Sequence, residues 1–186
     1  MLKITSALSI VLMLSVSGSN GATLTAKSKV SHSMQPSKAV SIYCPSISDG
    51  DKVKYTCSFG SFIFSHDNSG VNDANMDGVK AQFVVDKSDS PNVETIVQGS
   101  ASGIDWELTV VGFELAYKDA AGIIRVMNPE RIVPNPSVFA CRVAGKALSG
   151  SGRVKRDFLE DAIRRGETMT LTAYVSLRSG IPGAGC

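Results

Sequence analysis

From Met169 to Leu177 the chain alternates without a fault. Met169, Leu171, Ala173, Val175 and Leu177 are apolar, while Thr168, Thr170, Thr172, Tyr174 and Ser176 in the alternate positions are polar. Successive side chains of a β-strand point to opposite faces, so this stretch buries one face and wets the other. Such a strand needs partner strands and a core on a single side. That predicts antiparallel sheets, because the strands of a parallel sheet are covered on both faces and read as continuous apolar runs.

A short amphipathic helix leads into it. Val154, Phe158, Leu159, Ala162 and Ile163 form one apolar stripe at helical spacing, with Ser151 placed to cap the start. Gly166 stands where a helix ends in left-handed backbone, and Arg164 and Arg165 set positive charge against the negative end of the helix dipole.

Upstream, short apolar runs separated by turn signals predict more strands: Ala39 to Cys44, Lys52 to Phe64 with a break near Gly60, Val79 to Val85, and Val93 to Val97. The first two are expected to pair with each other. Ile104 to Tyr117 is the longest candidate, and its apolar phase shifts beside Gly112 as it would at a bulge. Lys118 to Gly122, reading K-D-A-A-G, predicts a hairpin into Ile123 to Met127, and this hairpin is expected at the centre of the core. Pro129, Pro134 and Pro136 then predict a stiff crossing loop, and Ser137 to Val143 a further strand. The fold class is mainly β, an antiparallel sandwich or barrel-like, with one short C-terminal helix before the last strand.

Lys3 precedes an almost uncharged apolar run, Ile4 to Val16, and then small residues as far as Ala22. A basic start, an apolar middle and a small-residue exit describe a secretory signal peptide over residues 1–22, with Gly18, Ser19 or Ala22 as the last residue removed. The run is too short to span a membrane, which takes about 20 apolar residues. Thr23 to Lys38 is rich in Ser, Thr and Lys without apolar period and is expected as a flexible N-terminal arm. Residues 39–186 are expected as one disulfide-stabilised domain, since 43% apolar and 19% charged residues suit a globular core. Lys3 is the only charge in the exported segment, so its removal lowers the formal net charge of +2 by one. A balance so near neutrality argues against nucleic acid as a partner.

Four cysteines, Cys44, Cys57, Cys141 and Cys186, all follow the export segment. An even count in an oxidising compartment predicts two disulfides. The favoured pairing is Cys44 with Cys57, across the turn-rich Ser46 to Lys52, and Cys141 with Cys186, which would hold the Gly- and Pro-rich tail.

Signals for chemistry are few. Asp73, Asn75 and Asp77 followed by Gly78 read D-x-N-x-D-G, which resembles the start of calcium-binding loops. The same residue types also make ordinary turns, and Val84 stands where an EF-hand would place its bidentate Glu. Calcium is the one ion these oxygens suggest, and no other cofactor is implied. No catalytic residues are assigned, because no G-x-S-x-G, H-E-x-x-H or phosphate-binding glycine loop occurs. His66 is the credible base if the chain is a secreted hydrolase, with carboxylates such as Asp105 and Glu107 as the other option. Arg153 to Arg156, R-V-K-R, resembles a furin-type processing site, although it also reads as the first turn of the helix. Arg153 to Val175 resembles the C-terminal part of the bacterial invasion-associated locus B proteins, over that stretch alone. Ala39 to Tyr43 stand where that family has a tryptophan near its first cysteine.

The reading these residues favour is an exported, disulfide-stabilised β-rich binding or structural protein of the cell envelope or extracellular space, secreted or periplasmic. Its partner would be a protein or surface ligand, and no membrane span remains after the signal is removed. The alternatives are a secreted hydrolase and a calcium-stabilised adhesion module.

Overall fold

A computed structural model of the chain describes residues 33–41, 43–65, 72–103, 106–134, 139–140 and 145–179. In chain order the elements are β1 (Ser33–Ser41), β2 (Ser46–Asp49), β3 (Lys52–Phe64), β4 (Ala74–Val85), β5 (Asn92–Gly103), β6 (Trp106–Lys118), β7 (Ile124–Val126), β8 (Val133–Pro134), β9 (Phe139–Ala140), β10 (Lys146–Lys155), α1 (Arg156–Arg165) and β11 (Met169–Ser179). They make two antiparallel sheets. One runs β1-β11-β6-β7 with β9 also beside β6, and the other runs β2-β3-β4-β5-β10-β8.

The alternation in β11 does what it predicts, with Met169, Leu171, Ala173, Val175 and Leu177 all buried. They share one core with Leu108, Val110, Phe113 and Leu115 of β6 and with the inward residues of the second sheet, among them Phe62, Phe64, Met76 and Phe83. Both phase shifts read from the sequence are bulges. In β6, Tyr174 pairs with Gly112 but Val175 pairs with Val110, so Val111 is the extra residue and the inward set moves from even to odd positions. In β3 the register slips twice around Gly60, whose φ of 74° is left-handed, and Phe59 and Phe62 both face inward.

Several expectations need correction. The helix begins at Arg156, not Ser151, and residues 151–155 complete β10 with Val154 buried in the sheet. The inward positions of β10 are Leu148, Gly150, Gly152 and Val154, so two glycines hide its alternation. Their smallness is needed, since a Cβ on Gly152 would stand 2.7 Å from Ile132 Cγ1. At the other end α1 stops as expected, with Gly166 at φ 63° and its N–H bonded back into the last turn.

β1 begins at Ser33, so the last six residues of the expected arm belong to a strand. It pairs with β11 and not with β3. β4 begins at Ala74, ahead of the expected start at Val79. The hairpin from β6 to β7 forms, but only its β6 half lies in the core. Ile124 of β7 is 68% exposed. Alternation tells which face a residue takes; it does not tell which strand is the neighbour.

Repeated crossings of the chain tie the sheets together. After β1 the chain passes through Cys44 into β2 and turns back as β3, and Cys44 is bonded to Cys57. Beyond β7, Pro129 and Pro134 lie on a crossing as expected, while Pro136 lies outside the described residues. Phe113 and Ile132 exchange backbone hydrogen bonds of 2.9 and 3.1 Å, after which β8 pairs with β10 in the other sheet. Asn128, buried, anchors this crossing: its Oδ1 accepts from Leu115 N–H at 2.6 Å, and its Nδ2 donates to Glu130 O at 2.6 Å and Phe113 O at 3.2 Å. α1 carries the chain from β10 in one sheet to β11 in the other, burying Leu159 and Ala162.

Candidate functional site

The Cys44–Cys57 bond extends the register of the β2–β3 hairpin. Ser46 faces Tyr55, and Pro45 O accepts from Thr56 N–H at 2.9 Å, so Cys44 falls opposite Cys57 with a Cα separation of 4.2 Å. That is the close spacing of opposed residues that share no backbone hydrogen bonds. Cys57 is fully buried, and its Sγ lies 3.7 Å from Met169 Sδ at the start of β11 in the opposite sheet. The bond therefore sits where the two sheets meet. Cys141 and Cys186 lie outside the described residues, as do His66 and Asp105.

The residues proposed for calcium do not form a wrapping loop. Asp73 is buried, with its N–H bonded to Phe64 O at 3.0 Å, and Asn75 and Asp77 lie on the strand β4, outward from Met76. Asn75 Nδ2 donates to Asp77 Oδ2 at 2.8 Å. Among the described residues no group of three or more His, Cys, Asp or Glu is gathered to hold a metal ion. Gly78 serves a bulge instead of a ligand loop: its φ is 59°, and the register between β4 and β5 shifts between Asp77 and Lys80. Glu107 lies on β6 opposite Arg178 of β11.

The R-V-K-R run lies in ordered secondary structure, at the end of β10 and the first residue of α1. Arg153 to Lys155 are paired with β5, and Arg156 is clasped: Nε donates to Ser90 O at 2.8 Å, one Nη to Asp86 O and the other to Asp86 Oδ1, both at 3.1 Å. Together with residues 86–92 this start of α1 lines an open hollow of about 790 Å³. Asp86 is held below the usual carboxylate value chiefly by hydrogen bonds from the Ser88 hydroxyl and N–H, with Arg156 adding to them. Arg156 is thus spent on structure, joining the β4–β5 turn to the helix.

A second hollow, of about 400 Å³, opens where the crossing meets β10, lined by Asn92, Glu130, Arg131, Ser151 and Arg153 together with Pro129 and Gly152. The Arg131 guanidinium stacks 3.8 Å from the centre of the Tyr174 ring, and the Tyr174 hydroxyl donates to Glu114 at 3.4 Å. The side chain lies across Gly112, where an added Cβ would stand 3.3 Å from Arg131 Cβ. Arg131 carried no signal in the sequence, because a lone arginine between prolines resembles any loop cation. Only the fold sets it on Tyr174.

The molecule is thus a two-sheet antiparallel β-sandwich with a disulfide at one junction of its sheets. No family model, curated protein or solved structure matches the chain, so the resemblance of residues 153–175 to invasion-associated locus B proteins has no support beyond those residues. No helix among the described residues is long and apolar enough to cross a membrane.

Proposed function

We propose that the chain is an exported binding or structural module of the cell envelope or extracellular space. The observation that carries this reading is the Cys44–Cys57 bond. Disulfides persist in oxidising compartments and are rare in the cytosol, and this one follows a segment with the charge and apolar pattern of a signal peptide. A binding role draws on the sheet edges. Edge strands are commonly blunted by charge or proline, whereas β2 and β7 leave Ile47 and Ile124 roughly seven-tenths exposed. The only charged residue of β7, Arg125, is neutralised by Asp119 at 2.8 Å.

Expression of the full chain in a host with an oxidising export compartment tests the reading. Intact mass should show a protein beginning at Ser19, Asn20 or Thr23, recovered outside the cytosol. Retention of Met1 in a cytosolic product would contradict it.

A further inference from the structure

We infer that Cys44, Cys57 and Met169, once the disulfide is reduced, form a binding site for a single Cu(I) ion. Three sulfurs meet here: Cys44 and Cys57 are bonded to each other, and Cys57 Sγ lies 3.7 Å from Met169 Sδ. Two sulfurs that share one ion at about 2.3 Å, in trigonal or tetrahedral geometry, stand about 3.8–4.0 Å apart. Met169 is therefore at ligand spacing from Cys57 before any metal enters.

Strand pairing holds these residues independently of the sulfur bond. Cys57 lies within β3, opposite Ala81 of β4. Met169 is buried between two strands, facing Ser41 of β1 and Tyr117 of β6. The hydrogen bond from Thr56 N–H to Pro45 O keeps Cys44 across from Cys57. Breaking the bond between the sulfurs thus leaves two thiols and a thioether in one place.

The donor set gives the metal. Thiolate and thioether sulfurs are soft ligands and select Cu(I). Structural zinc takes four Cys, His or carboxylate ligands, and among the described residues no group of three or more such side chains is gathered. Zinc would be short of ligands here, whereas two thiolates and a thioether suit a soft ion of low coordination. Cys44 is only partly buried and Cys57 is fully buried, so the Cys44 side is the way in. A dithiol opens the site: its thiolate attacks Cys44 Sγ, and Cys57 leaves as a thiolate. The second thiol of the reductant then releases Cys44 and closes to a disulfide. Two electrons and two protons pass to the cysteines, and copper displaces both protons as it binds.

Titration with Cu(I) against a bathocuproine chelator tests this on the full chain carrying Cys141→Ser and Cys186→Ser, reduced with dithiothreitol and desalted without oxygen. The reduced protein should take one equivalent from the chelator, with three sulfur neighbours seen by X-ray absorption, and the disulfide form should take none. Met169→Leu, which nearly conserves volume, should weaken retention about tenfold or more. Met76→Leu, opposite Phe62 toward the far end of β3, leaves it unchanged. A reduced chain that takes no copper, retention indifferent to Met169→Leu, or zinc that displaces the copper would overturn the inference. A reduced chain that unfolds and is not refolded by copper would overturn it too. The site needs only reduced sulfurs, so its failure leaves the export reading standing, and a failure of export leaves the site standing.

Discussion

At Gly99 the space for a side chain is already taken. A Cβ there would stand 2.9 Å from the backbone oxygen of Asp77 and 3.2 Å from Val79 Cγ2, and neither is the free end of a flexible side chain. Gly99→Ala should lower the unfolding free energy by about 1–3 kcal/mol, read from the urea midpoint. An unchanged midpoint would contradict the packing of β5 against the β4 bulge. Asn128 makes the complementary case, since its amide serves three backbone groups. Asn128→Ala strands buried polar groups and should destabilise by about 2–4 kcal/mol, whereas an effect below about 0.5 kcal/mol would show that water replaces the amide. Residues of this kind are the hardest to read from sequence. Gly150 and Gly152 face the core yet leave no apolar mark, which is why the end of β10 reads as helix. Arg131 gains its place only from Tyr174.

Single elements were more legible than their neighbours. β11, the stop of α1 at Gly166 and the bulge beside Gly112 each follow from local pattern, because the rule that forms them acts within a few residues. The β6–β7 turn is similar: Asp119 Oδ1 accepts from Ala121 and Ile123 N–H at 3.0 and 2.8 Å. Asp86, Asp119 and Asp161 secure their turns or helix as charged groups, each held below the ordinary value of 3.8. Ser88 does most of this for Asp86, Ile123 N–H for Asp119 and Arg164 for Asp161. A carboxylate with a lowered pKa stabilises the fold fully above the ordinary value and loses that contribution as pH falls through its folded-state value. Melting temperature should therefore be level above about pH 5 and decline below about pH 4. Replacing all three with Asn should lower the melting temperature at neutral pH and flatten the acid decline. An equally steep decline would place the acid sensitivity in other groups. Burial and the hydrogen bond to Asp161 raise Tyr117, so the stability it adds as a neutral phenol is present below pH 10.0 and is lost as pH rises further.

Across the molecule the sequence is clear about class and silent about partners. Two-sided strands imply a sandwich, but no local rule joins β1 to β11 across most of the chain, and that pairing leaves Cys44 to enter the second sheet. The disulfide at this junction closes a separation of 13 residues. Replacing Cys44 and Cys57 together with Ser should lower the unfolding free energy by about 3 kcal/mol, and an unchanged urea midpoint would deny the bond its role in stability. The most direct measurement alkylates the protein in the intact cell, fractionates the cell, and maps peptides without reduction. The account predicts a Cys44–Cys57 linked peptide in the envelope or extracellular fraction. Both cysteines alkylated on a protein confined to the cytosol would contradict it.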